Sequence, residues 1–145
     1  VQMDSGAYYG YTSPAKRPST TSIGLLCRMY LGWNKEHQAL VDGVKYLAET
    51  GPSKTDMYYN YYATQVMRQF EDQYWEDWNT EMRDYLVSSQ VKDGPAKGSW
   101  YFSGGHGAEK GGRLYNTSLA TMILEVYYRH MPIYQKQATT EDFPL

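Results

Sequence analysis

The sequence predicts an all-α protein built from repeated helical hairpins, and three observations carry that expectation. A segment of one pattern occurs three times, as Thr21-Ser-Ile-Gly-Leu-Leu-Cys-Arg-Met-Tyr30, Asn60-Tyr-Tyr-Ala-Thr-Gln-Val-Met-Arg-Gln69 and Thr117-Ser-Leu-Ala-Thr-Met-Ile-Leu-Glu-Val126, aligned on Gly24, Ala63 and Ala120. The first two copies hold one register, since Gly24 and Ala63 lie 39 residues apart and so do Tyr46 and Tyr85. Between the breakers, apolar residues recur at helical spacing. Self-similarity at such a period marks stacked hairpins, none of which buries its apolar face alone.

Residues 1–20 are rich in Gly, Ser, Pro and Tyr, and Pro14 and Pro18 discourage helix, so they read as an N-terminal loop segment. A first helix is expected over about 21–33, capped by Thr21 or Ser22, with Ile23, Leu26, Cys27 and Tyr30 on its apolar stripe. A second is expected over about 35–49, with Leu40, Val44 and Leu47 inward and Gly51-Pro52 as its stop. The third, about 56–70, has Asp56 as N-cap and places Tyr58, Tyr62, Val66 and Phe70 on one line, with Tyr59, Ala63 and Met67 beside it. The fourth, about 74–91, turns Trp75, Trp78, Met82, Tyr85 and Leu86 inward and a charged face outward. A glycine-rich loop, 92–112, leads to a fifth helix over about 113–130. The repeat domain therefore spans 21–134 and 135–145 reads as a tail. Gly98-Ser-Trp-Tyr101 before the fifth helix echoes Gly6-Ala-Tyr-Tyr9 before the first.

A chain of 145 residues suits one domain burying roughly 70% of its unfolded surface. Its 16 Tyr and 4 Trp against 3 Phe mean that most bulky apolar groups carry a polar tip needing a partner or water. A net charge of −2 with both signs interspersed gives no footprint for nucleic acid. The single cysteine, Cys27, precludes an internal disulfide framework and a multi-thiolate metal site, and its place on the apolar stripe predicts a buried, inert thiol. No apolar run is long enough for a membrane span, and the start, Val1-Gln-Met-Asp, has neither a basic nor an apolar leader region. It reads as a piece of a longer protein.

Arg83, Leu86, Gln90 and Gly98-Ser-Trp100 stand in the order of the QW motif, and with the inner-type helices around them the chain resembles the prenyltransferase and squalene-oxidase repeats of terpenoid cyclases and protein prenyltransferase β subunits. The resemblance covers roughly 20–134 and looks like a C-terminal fragment of a larger, bacterial-type protein. It implies an α/α toroid of alternating inner and outer helices, here a partial toroid of five to six, in which Gln90 and Trp100 staple neighbouring helices. It does not bring the family's chemistry. The Asp-x-Asp-Asp acid of squalene-type cyclases is not in the sequence, and Cys27 lacks the Asp two residues earlier that the prenyltransferase zinc site uses. The thioester loop of complement-type toroids is missing as well. The expectation is therefore a module with no cofactor and no metal, non-catalytic by itself, which binds an apolar small molecule or a partner segment on its inner-helix face, self-associates, or packs on the rest of a parent protein. Two alternatives remain: part of a cyclase-like enzyme acting on polyprenyl substrates, or a glycan-binding or glycan-cleaving toroid.

Candidate surface residues follow from the tyrosine ladder of the third helix and the loop before the fifth: Tyr58, Tyr59, Tyr62, Trp100, Tyr101, His106, Arg113, Tyr115 and Asn116. Loops on rigid scaffolds carry function, Gly104-Gly-His-Gly107 would let backbone approach a ligand, and His106 offers a general acid or base. The carboxylates Glu71, Asp72, Glu76 and Asp77 read as helix-end charges, not as a metal box.

Overall fold

The computed structural model describes residues 1–126. They form helices α1 (Pro18–Tyr30), α2 (Gln38–Thr50), α3 (Met57–Phe70), α4 (Gln73–Ser89) and α5 (Ala108–Leu124), preceded by a small antiparallel ribbon of β1 (Gln2–Met3) and β2 (Tyr8–Tyr9). The all-α class predicted from the repeats is what forms. Among the described residues no helix is long and apolar enough to cross a membrane.

Helix ends follow local chemistry, and they correct several expected boundaries. Pro18 opens α1 at its first position instead of preventing it, because the fixed φ of proline suits that site and its missing N–H would have had no helical partner there. The N-terminal loop thus ends at Arg17, not at residue 20. α1 stops at Tyr30, short of Trp33, where Gly32 turns back at φ +97° and donates to the Met29 carbonyl at 3.0 Å. α2 begins at Gln38 because Asn34 closes a turn before it, accepting from the N–H groups of Glu36 and His37. Gly51 ends α2 at φ 70°, and Asp56 caps α3 by accepting from the Tyr59 N–H at 3.1 Å. Glu71 takes the left-handed conformation that ends α3 and pairs with Arg68 at 3.0 Å, while Asp72 accepts from the Gln73 N–H at the start of α4. α5 starts at Ala108 but breaks at Gly112 (φ 57°, ψ −146°), so its straight part begins at Arg113. The expected continuation to His130, the end of the repeat domain at 134 and the tail lie outside the described residues.

Contacts at both ends show how the helices run. Ser19 donates to Asp56 at 3.2 Å where α1 and α3 begin, and Gln69 donates to the Tyr30 hydroxyl at 3.1 Å where they end. α1 and α3 are therefore parallel. α2 and α4 run back against them, since Tyr46 reaches the Lys16 carbonyl (3.3 Å) and Tyr85 the Lys54 carbonyl (2.6 Å), each beside the start of the helix before it. Each of these lysines also lies over its tyrosine ring, at 4.4 and 4.6 Å, so the two units repeat a contact as well as a sequence. α1, α3 and α5 form one row, with α3 touching both neighbours, and α2 and α4 pack on α1 and α3. Leu25, Met29, Leu40, Val44, Leu47, Val66, Met67, Met82 and Leu86 are fully buried in the shared core. Each such side chain contributes about 1.5–3 kcal/mol through the apolar area it removes from water.

A second repeated contact joins each inner helix to the loop before it. Thr21, Asn60 and Thr117, the first residues of the three aligned segments, accept the backbone N–H of Tyr9, Ser53 and Trp100 at 3.0, 2.8 and 3.1 Å. This matches Tyr9 to Trp100, so the loop echo is shifted by one residue from the register in which Tyr8 would answer to Trp100.

The stripe expected to be buried on α1 is also corrected. Ser22, Leu25, Leu26 and Met29 face the core, whereas Cys27 is exposed, Tyr30 is 56% exposed and Ile23 is only partly covered. Two stripes of α1 have helical spacing, and only the one facing α2 and α3 has neighbours to cover it.

Candidate functional site

The residues of the QW-like motif serve the scaffold. Trp100 is 4% exposed and donates its indole N–H to the Leu86 carbonyl at 2.8 Å. Gln90 donates to the Gly98 carbonyl at 3.0 Å, tying the end of α4 to the loop, and exposed Arg83 pairs with Asp84 at 2.9 Å. Trp100 is thus removed from the candidate surface, because its ring closes the core under the loop. Tyr59 is removed too. It is 3% exposed, its ring meets Trp78 edge-on at 5.9 Å, its hydroxyl donates to the Gly51 carbonyl at 3.1 Å, and burial pushes that hydroxyl's pKa well above the ordinary range. Asn116 is buried within α5, donating to the Gly112 carbonyl at 2.8 Å across the helix break, and so offers nothing to a ligand at the surface. Tyr101 and Arg113 remain exposed but stand together elsewhere: the guanidinium lies 5.5 Å from the Tyr101 ring and bonds Ser99 at 3.2 Å.

The other four candidates converge where the inner helices begin. Gly105 makes this possible, since a Cβ there would sit 2.5 Å from the Thr55 carbonyl and 2.8 Å from the Asp56 Cα. The glycine therefore admits the cap of α3, not a ligand as its loop had led one to expect. With the loop so seated, the His106 ring lies 4.8 Å from that of Tyr58, and Tyr115 donates to the His106 carbonyl at 2.8 Å. Tyr58 meets Tyr62 edge-on at 4.9 Å, and Tyr62 meets Tyr61 at 5.0 Å. Burial, then a hydrogen bond with Tyr58, pushes the Tyr62 hydroxyl from 10.0 up to about 12. Tyr115 is raised as well, by burial and then by the nearby Asp56 and Tyr58. These hydroxyls are held neutral, as donors and acceptors, around a wall of ring faces.

In front of Tyr58 and His106 opens a cleft of about 460 Å³, completed by Tyr11, Arg17, Pro18, Ser19, Thr20 and Ile23. That volume lies within the ~300–1,000 Å³ usual for small-molecule sites. Ser19 and Tyr58 occupy the same repeat position 39 residues apart, so the cleft lies between equivalent first turns of adjacent inner helices. Its residues from the N-terminal segment carry no motif; only the repeat register placed Ser19 beside Tyr58. Tyr11, Pro18, Ile23 and Tyr58 supply apolar surface, while Arg17, Thr20 and His106 add polar groups. Ser19 is already engaged with Asp56, and Thr20 donates to the Tyr9 carbonyl at 2.5 Å. Among the described residues no three His, Cys, Asp or Glu side chains come together as metal ligands. No family model, curated protein or solved structure matches this chain.

Proposed function

We propose that the chain is a repeat domain of the terpenoid-cyclase and protein-prenyltransferase kind, without chemistry of its own, which binds an apolar ligand in the cleft between the first turns of α1 and α3. The cleft itself carries this reading: Tyr58 and Ile23 line it while the nearest polar groups on α1 are spent on internal bonds. The parallel pair α1 and α3, with the antiparallel α2 and α4 packed against it, supports the inner and outer layers of a toroid. Closure of that toroid belongs to the proposal. A cyclase reading needs an acid cluster that the sequence does not contain. A glycan reading is favoured by one observation, the tyrosine rings beside Arg17 and His106, a pairing that suits sugars.

Calorimetric titration with farnesol and with cellotetraose tests the choice. The expected result is saturable binding of farnesol, weakened about tenfold or more by Tyr58→Ala or Ile23→Asp in variants with unchanged circular dichroism. Binding of cellotetraose instead would establish the glycan reading, and binding of neither would sink the site.

A further inference from the structure

Arg17 stands where the next repeat makes the opposite choice. It corresponds to Asp56, 39 residues on, and the two are the N-cap residues of α1 and α3. Asp56 accepts from the Tyr59 N–H at 3.1 Å, as a capping carboxylate should, whereas α1 has no side-chain cap and carries a cation at its positive end. Nothing inside the molecule offsets this. Among the described residues the Arg17 side chain has no hydrogen bond or ion pair, while Arg28 is held by Gln2, Arg68 by Glu71, Arg83 by Asp84 and Arg113 by Ser99. Arg17 lines the cleft with Tyr11, Ile23, Tyr58 and His106, and the His106 ring nitrogens likewise have no hydrogen bond among the described residues. No carboxylate lines the cleft: Asp56, which Ser19 bonds, and Glu109 line the neighbouring hollows instead. Local rules of this kind are broken at functional sites, where a ligand supplies the compensation.

We infer that the ligand of the cleft is an amphiphile with a single carboxylate head, its apolar chain against Tyr11, Ile23 and Tyr58 and its carboxylate on Arg17, with His106 as a second donor. This deepens the reading of the cleft as an apolar site and rests on it. A guanidinium takes a carboxylate through two parallel N–H bonds, which joins charge to geometry. The same anion brings to the uncapped start of α1 the negative charge that Asp56 brings to α3. One guanidinium balances one negative charge. A diphosphate would leave most of its charge uncompensated, because Lys110, in the adjoining hollow, stands there with Glu109.

Calorimetric titration at neutral pH with decanoate and with decanol, which share a chain length and differ in the head group, tests the inference. Decanoate is expected to bind about tenfold or more tightly than decanol, and Arg17→Gln to remove the difference. Arg17→Asp, which gives α1 the kind of cap that α3 has, should raise the melting midpoint of the free chain and reverse the preference. Equal affinity for the two ligands, binding of decanol alone, or a preference for decanoate that survives Arg17→Gln would overturn the inference and leave the apolar cleft standing. A lowered midpoint in Arg17→Asp would overturn it too, since Arg17 would then serve the scaffold. Binding of neither ligand would overturn both the inference and the reading of the cleft on which it rests.

Discussion

The Thr117 hydroxyl oxygen accepts a hydrogen bond from the backbone N–H of Trp100 at 3.1 Å, and through it the loop before α5 is fixed to the helix it precedes. Thr21 and Asn60 hold Tyr9 and Ser53 in the same way. Asn60 does most, because its return bond to the Ser53 carbonyl is 2.7 Å long, against 3.5 Å from Thr21 to Tyr9 and 3.4 Å from Thr117 to Trp100.

Removing these clamps should therefore destabilise in a set order. Asn60→Ala removes two short bonds to the backbone of Ser53 and is expected to cost about 2–4 kcal/mol, whereas Thr117→Val removes one short bond from the Trp100 N–H and a long one, 3.4 Å, to its carbonyl at nearly constant volume and should cost about 1–2 kcal/mol. Urea unfolding midpoints read the difference. Equal, negligible losses at the two positions would show that the clamps are incidental.

Trp100 should behave as a scaffold residue. Trp100→Ala is expected to cost about 3–5 kcal/mol through the cavity it leaves. Trp100→Phe should cost about 1 kcal/mol, because the Leu86 carbonyl that loses the indole N–H still accepts from the Gln90 N–H at 3.1 Å. If the alanine variant melts unchanged while cleft binding disappears, Trp100 belongs to the site after all.

Gly105→Ala should act through backbone crowding. The added Cβ meets the Thr55 carbonyl, which cannot rotate aside, so a loss of about 1–3 kcal/mol is expected together with release of His106 from Tyr58. The ring-current shift of the His106 protons provides the measurement. Unchanged shifts in a folded variant would contradict the loop seating described here.

Alkaline pH should loosen the tyrosine wall. The Tyr62 hydroxyl is raised from 10.0 to about 12, so the unfolded chain releases its proton first and is stabilised relative to the folded chain above pH 10. The stability linked to this group is complete below about pH 10 and is lost as pH rises through about 12. Melting temperatures across that interval, followed with tyrosinate absorbance, should fall in Tyr62 protein and fall less in Tyr62→Phe. Identical profiles would sink the assignment.

Much of the architecture was legible in the chain. The spacing of Gly24 and Ala63 set the repeat, Asp56 and Gly51 marked helix ends by their own side-chain and backbone chemistry, and Trp75, Trp78, Met82 and Leu86 named the inward face of α4. These signals are local, and each can be read within one or two helical turns. Pro18 was local as well, but proline both breaks helices and starts them, and which it does depends on whether a helix precedes it.

The candidate surface divided where locality ended. Tyr58, Tyr59 and Trp100 are equally aromatic in sequence, yet Tyr59 and Trp100 close the core and only Tyr58 opens on the cleft, because α4 and its following loop cover one side of α3 and not the other. Cys27 lies on a stripe as regular as that of Leu25 and Met29, and it is exposed because α2, α3 and the N-terminal ribbon cover the other sides of α1. Periodicity determines that a helix has an apolar stripe; which stripe is buried is decided by the elements that tertiary packing brings against it.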